Sequence, residues 1–168
     1  MKRGIVICLA LALFCQCLLG AALAEEAQPR FASSQAVAAY LDEEGISYRL
    51  DTSTEEDVFI RVFAPNEAEG IESIVIGAYV DDEGVDIMTG NLVLADTSDM
   101  LKLYQGLEAV NEGAAFVRFI YTPSDGGIYA RMELPYVDDG NFGRVVERYM
   151  FIAGRTVDQN YNALAALA

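Results

Sequence analysis

Histidine and tryptophan are absent from this chain of 168 residues, and its three cysteines, Cys8, Cys15 and Cys17, all lie near its start. Without imidazole there is no Ser-His-Asp triad, and beyond residue 24 there is no thiol nucleophile and no Cys or His to hold zinc. The same stretch has no cysteine from which to form a disulfide, so its stability must come from a packed core. Positive charge is scarce: 11 Lys and Arg stand against 26 Asp and Glu. The lone lysine beyond residue 24 is Lys102. Phosphate binding needs clustered Lys and Arg, so nucleic acid and anionic membrane surfaces are disfavoured as partners. No glycine-rich phosphate cradle occurs, and no serine sits in a nucleophile elbow. Acids are plentiful enough for carboxylate-based hydrolysis of glycosides, but tryptophan, a common sugar platform, is missing. The expectation is a protein that is not an enzyme and carries no cofactor, with a carboxylate-based hydrolase, or a small-ligand or calcium-binding envelope module, as the alternative.

The first residues read as a secretory signal peptide. Met1-Lys2-Arg3-Gly4 is basic, Ile5 to Leu19 is apolar apart from Gln16, and Ala22-Leu23-Ala24 offers small residues for cleavage before Glu25. The apolar stretch is too short for a membrane-spanning helix, which needs about 20 apolar residues, so no stable membrane insertion is expected after cleavage. Cys15 and Cys17 raise a lipoprotein alternative, disfavoured because Phe14 and Gln16 precede them where a small residue is wanted. The expected destination is the periplasm or the medium. Lys2 and Arg3 fall in the removed segment and no acid does, so the net charge moves from -15 to -17. That charge keeps an exported protein soluble and, by self-repulsion, monodisperse; attraction to a cationic partner or weak binding of divalent metal is the sharper alternative. The remaining 144 residues suit one hydrophobic core.

Residues 25–33 read as a flexible lead-in, and 34–168 as one domain. Ser34 is placed to cap a helix carrying Val37, Tyr40 and Leu41, and Gly45 to end it. The period then changes to two. Strands are expected at Ile46 to Leu50, Val58 to Phe63, Ile71 to Val80 and Val85 to Leu94, the last two joined as a hairpin through Asp81-Asp82-Glu83-Gly84, with Gly84 supplying positive φ. Asp96 to Asp99 is rich in capping oxygens ahead of a helix carrying Met100, Leu103, Tyr104, Leu107 and Val110, which Gly113 stops. Ala115 to Tyr121 and Ile128 to Tyr136 form a second hairpin. A final helical face runs from Phe142 through Val146, Ala153 and Val157 to Leu164, either unbroken or interrupted near Gly154. The order α-β-β-β-β-α-β-β-α predicts an α+β fold: an antiparallel sheet of about five to six strands with helices packed on one face.

With its punctuation, this order resembles the YbjN family, described as bacterial sensory transduction regulators with a fold like that of type III secretion chaperones. The landmarks are Leu103-Tyr104-Gln105-Gly106-Leu107-Glu108-Ala109-Val110-Asn111, the turn at Asp125-Gly126-Gly127, Arg131-Met132-Glu133-Leu134-Pro135, and Val157-Asp158 with Tyr161. The likeness covers roughly residues 34–166. It implies the fold and a habit of binding proteins, and no catalytic residues. A signal peptide departs from the usual member and argues against cytosolic signalling or service to an injection apparatus, so an envelope role is expected.

The second hairpin supports a finer inference. If Tyr121 pairs with Ile128, Arg118 falls opposite Arg131, and Val117, Phe119 and Tyr121 share an apolar face with Met132, Ala130 and Ile128. The opposite face then shows Phe116, Arg118, Ile120, Tyr129, Arg131 and Glu133. By alternation Val58, Ile60 and Val62 turn inward, leaving Phe59, Arg61 and Phe63 on that outer face. Arg mixed with aromatic side chains is a composition enriched at protein interfaces. Facing arginines call for an anionic group, supplied by Glu133, another subunit or a ligand. Phe59, Arg61, Phe63, Phe116, Arg118, Tyr129 and Arg131 are therefore the candidate interaction residues, with a protein partner or a second copy as occupant. Asp81, Asp82, Glu83 and Asp86, and Asp138, Asp139 and Asn141, are alternative calcium-ligand sets, though neither has the spacing of a calcium loop.

Overall fold

The computed structural model of the chain describes residues 27–168. The expected signal peptide, residues 1–24 with cleavage after Ala24, lies outside the described residues. The elements run α1 (Ala32–Glu43), β1 (Arg49–Asp51), β2 (Asp57–Phe63), β3 (Ile74–Val80), β4 (Gly84–Thr89), β5 (Val93–Leu94), α2 (Met100–Glu112), β6 (Arg118–Thr122), β7 (Gly127–Pro135) and α3 (Phe142–Ala165). One seven-stranded sheet, antiparallel throughout, places β1, β2, β3, β4 and β7 side by side, with β6 on the far edge of β7.

The expected fourth strand, Val85 to Leu94, is divided. Both pieces pair with the same edge of β7, Ile87 opposite Met132 and Val93 opposite Ile128. The stretch from Ile87 to Val93 is two residues longer than its counterpart, and the excess bulges around Gly90. At the break the Ala130 N–H donates to Thr89 Oγ1 (2.9 Å) and the Leu92 N–H to the Ile128 carbonyl (2.9 Å), so the backbone of β7 stays satisfied.

The β3–β4 hairpin forms where expected, with Val80 opposite Val85, but not through the conformation expected of Gly84. Its φ is not among the positive values, which belong to Gly45, Gly70, Gly126 and Gly140. A Cβ at Gly84 would collide with the carbonyl oxygen of Leu134 on β7. Close approach of a neighbouring strand, not turn geometry, demands glycine there.

The start of α1 also differs from expectation. The helix begins two residues before Ser34, with Phe31 at the capping position. Ser34 Oγ accepts from the Phe31 N–H (3.0 Å) and donates to Asp57 Oδ2 (2.6 Å). Nor is the end of the lead-in loose. The Arg30 backbone N–H and Nε both donate to the Asp57 carboxylate (2.6 Å each), and the Ser33 hydroxyl donates to the Asp81 carbonyl. Asp57 has no exposed surface. Burial pushes its carboxyl up, but the Ser34 hydroxyl, the Arg30 N–H and the guanidinium outweigh that and hold it below the usual range.

All three helices lie on one side of the sheet. α3 is continuous over 24 residues and buries a stripe of Val146, Met150, Ala153 and Val157 against the inner faces of β3, β4 and β7. Gly154 does not break it. A Cβ at that position would meet the Phe63 ring at 3.1 Å, and one at Gly143 would strike the carbonyl oxygen of Ala36 on α1. Glycine lets β2 and α1 come close to α3. Two buried leucines, Leu103 and Leu107, seat α2, and Asn111 ties its end to β6: Nδ2 donates to the Phe119 carbonyl (2.9 Å) while Oδ1 accepts from the Phe119 N–H (2.7 Å).

Near the end of α3, Asp158 Oδ1 accepts three consecutive backbone N–H groups, from Asn66, Glu67 and Ala68, each at 2.9 Å. One turn later Asn162 completes the clamp, accepting from the Glu69 N–H (2.9 Å) and donating to the Glu67 carbonyl (3.0 Å). The Asp158 carboxyl is raised by burial and lowered by these N–H groups, which prevail. Its ionised form is the one the fold binds. A depressed folded pKa contributes stability that is present above the unfolded value, about 3.9, and lost as pH falls through the folded one. Asp158→Ala is expected to lower unfolding free energy at neutral pH by about 2–4 kcal/mol, since three N–H groups lose a charged acceptor. In urea titrations the gap between wild type and variant is expected to close as pH drops below about 4.

Candidate interaction face

The sheet side opposite the helices is covered by no described element. Its rows follow from the register. One row crosses Arg49, Ile60, Gly77, Met88, Arg131 and Arg118; the next crosses Asp51, Val58, Tyr79, Asp86 and Glu133. Val62 opposite Val75, and Ile120 opposite Tyr129, extend the face beyond the first row. Val62 and Val75 are 66% and 44% exposed, and Ile120 is 37% exposed. Gly77 leaves room for the Tyr79 ring, which a Cβ would approach to 3.0 Å. Val58, Tyr79's cross-strand partner, is buried although it lies on this side.

The β6–β7 register is the expected one, with Arg118 opposite Arg131 and Tyr121 opposite Ile128. Phe119, Ile128, Ala130 and Met132 turn to the core, and Arg118, Tyr129 and Arg131 to the open side. Strand β2, however, is inverted relative to expectation. Phe59 pairs with Ala78 and Arg61 with Ile76, both buried on the helix side, so Phe59, Arg61 and Phe63 face inward and Val58, Ile60 and Val62 outward.

The physical reason is what α3 and β1 offer this edge. Phe59 is fully buried, its ring 5.4 Å from that of Tyr48. Arg61 Nη1 donates to Glu147 Oε1 on α3 (2.9 Å), and its guanidinium lies 4.8 Å from the Phe63 ring. Phe63 meets Phe151 edge-on, with centroids 6.4 Å apart. The half-buried arginine is thus matched by a carboxylate and an aromatic ring, which the strand alone cannot foretell. Phe116 is likewise misplaced by alternation. It precedes β6 and sets its ring edge-on to Tyr149 of α3 at 5.9 Å. Of the seven expected residues, the open face gathers Arg118, Tyr129 and Arg131.

The two facing arginines are treated differently. Arg131 Nη2 contacts Asp86 Oδ2 at 2.7 Å and Glu133 Oε1 at 2.6 Å, while Nε donates to Asp86 (2.9 Å). The hydrogen bond it donates to Asp86, against a smaller effect of burial, raises the guanidinium pKa further above its ordinary value. Arg118 makes no ion pair and no hydrogen bond among the described residues, so its charge remains free on an exposed strand. The phenol of Tyr129 donates to Asp125; that bond raises the phenol's pKa and lowers the carboxyl's. Asp86, Val62 and Val75 belong to the face but are not among the residues expected there from sequence. Asp86 alternates with inward Val85 and Ile87, a signal that gains meaning only once β4 is known to pair with β7.

Three acids of the two calcium-ligand sets hold turns or ion pairs. Asp81 Oδ1 accepts from the N–H groups of Glu83 (2.8 Å) and Gly84 (3.0 Å), Asp86 is held by Arg131, and Asp139 Oδ1 accepts from the Asn141 N–H (2.8 Å). Among the described residues no three His, Cys, Asp or Glu side chains gather as metal ligands, and no helix is long and apolar enough to cross a membrane.

Comparison with protein-family models finds no match for the chain, and comparison with curated proteins finds none.

The two sides of β2 can be told apart by truncation. Phe59→Ala is expected to cost about 3–5 kcal/mol of stability as a large core cavity, whereas Val62→Ala is expected to stay within about 0.5 kcal/mol of wild type. Equal losses in denaturant unfolding would contradict the assigned faces.

Proposed function

We propose that this protein is a non-enzymatic protein-interaction module that acts by contact through the open face of its sheet, with a second copy of itself as the occupant. The observation that carries this reading is the uncovered sheet side, where apolar side chains at Ile60, Val62, Val75 and Met88 lie beside both a free cation, Arg118, and the exposed carboxylate of Glu133. A face that holds both signs around an apolar centre can complement itself across a two-fold axis. Sheets stacking face to face about 10 Å apart suit a layer of Val, Ile, Met and Tyr. The cationic guanidinium left without a partner in one protomer is the group such a contact would neutralise.

The setting belongs to the same proposal. The basic, apolar and small-residue pattern of residues 1–24 supports export, and with it a role in the cell envelope. The expected element order α-β-β-β-β-α-β-β-α, found with its fourth strand divided into β4 and β5, supports the likeness to YbjN-type proteins, and through it a chaperone-like or regulatory task.

The test is the mass in solution. Analytical ultracentrifugation of the intact protein is expected to show a species of twice the chain mass, and Val62→Glu with Val75→Glu is expected to yield the single-chain mass with an unchanged circular dichroism spectrum. A wild type that stays at the single-chain mass up to its solubility limit, or a variant that still dimerises, would defeat the reading.

A further inference from the structure

Charge is distributed unevenly over this acidic protein, and the imbalance lies on α3. Beyond residue 24 the chain has nine cationic side chains against 26 acids. Arg30, Arg61 and Arg131 are held in ion pairs. Three of the others, Arg144, Arg148 and Arg155, sit on the one helix, and all three are exposed. Phe151, 51% exposed, lies between the last two. Residues 144, 148, 151 and 155 are spaced four, three and four apart, so they form a single stripe. The buried stripe of Val146, Met150, Ala153 and Val157 has the same spacing two positions away, which turns it to the opposite side of the helix.

Nothing on α3 cancels this charge. Its two acids are both occupied, Glu147 by Arg61 and Asp158 by the backbone of residues 66–68. Arg144 Nη2 reaches only the neutral Asn141 Oδ1 (3.2 Å), and neither Arg148 nor Arg155 has a partner among the described residues. The outward side of α3 is thus a strip of three uncompensated guanidinium groups with an aromatic ring among them, on a chain whose net charge is strongly negative.

We infer that this strip is a docking site for an acidic amphipathic segment of a partner protein. The length of the strip, twelve residues of helix or roughly 16 Å from first to last, matches a few turns of a second helix. Guanidinium groups take carboxylates in paired hydrogen bonds, and a half-exposed Phe beside arginines is the kind of anchor that dominates interface energetics. Charge complementarity also selects against broader anions. A flat lipid surface would meet the neighbouring α1, which packs on α3 and ends in exposed Asp42 and Glu43. A nucleic-acid strand would bring its polyanionic backbone against the acidic remainder, with only three cations to release counterions. A narrow acidic segment lying along α3 meets the strip alone. This site is on the opposite side of the molecule from the open sheet face and does not depend on it.

The experiment uses the intact purified protein and a fluorescein-labelled amphipathic peptide with Glu at positions 1, 5 and 12 and Leu on the intervening face, with a Gln-for-Glu peptide, phosphatidylglycerol vesicles and inorganic phosphate as parallel probes. Fluorescence anisotropy is expected to show the Glu peptide binding roughly tenfold or more tightly than the Gln peptide, with affinity falling as salt rises. Arg148→Glu with Arg155→Glu is expected to abolish binding while keeping the wild-type melting temperature. The Val62→Glu, Val75→Glu protein is expected to bind as wild type does, which separates this site from the sheet face. The inference is overturned if neither peptide binds, if the Gln peptide binds equally well, if the α3 double variant binds undiminished, or if the vesicles or phosphate alone are bound.

Discussion

Burial of one side of α3 against the inner face of the sheet is the interaction on which the rest of this protein depends. There is no disulfide among the described residues and no metal cluster to assist it, so the apolar contact of Val146, Met150, Ala153 and Val157 with β3, β4 and β7 supplies the main favourable free energy. Because α3 occupies the middle of that face, α1 and α2 find their places beside it. Glycine at 143 and 154 lets α1 and Phe63 approach the helix more closely than a side chain would allow.

The polar contacts of α3 extend the same organisation outward. Glu147 accepts from Arg61 and so makes it possible for β2 to turn an arginine toward the helix layer; Asp158 and Asn162 gather the backbone of residues 66–69. On the other flank, Asp57 gathers Arg30 and Ser34, binding the segment before α1 to β2. In each case a buried or half-buried carboxylate is engaged by donors, which is how an acidic chain can carry charge in its interior without an orphaned group. Charge unused in this way is left on the surface, with three exposed arginines along the outside of α3.

Placing all helices on one side leaves the other side of the sheet open. The two surfaces proposed for partners are thus consequences of one packing decision. The sheet face combines aliphatic rows with Arg118 and with the Arg131, Asp86 and Glu133 group. The helix strip combines three arginines with Phe151. They face opposite directions, so one molecule has room to use both at once.

Most of the architecture was legible from period and punctuation alone. The spacing of Val37 and Leu41, of Leu103 and Leu107, and of Val146, Ala153 and Val157 marks the helices, and the alternation at 117–121 and 128–132 marks a hairpin whose register follows from its turn length. These are local properties, determined by residues that are neighbours in the chain. The direction in which β2 faces was not among them. Val58, Ile60 and Val62 are as fit for a core as Phe59 and Phe63, and an arginine between two phenylalanines reads as surface until a distant Glu147 and Gly154 are brought against it. The same holds for the bulge that divides β4 from β5, for Gly84 under Leu134, and for the tie between Arg30 and Asp57. A sequence sets which residues share a face of a strand or helix; which face is covered depends on partners many residues away, and only the packed chain brings them together.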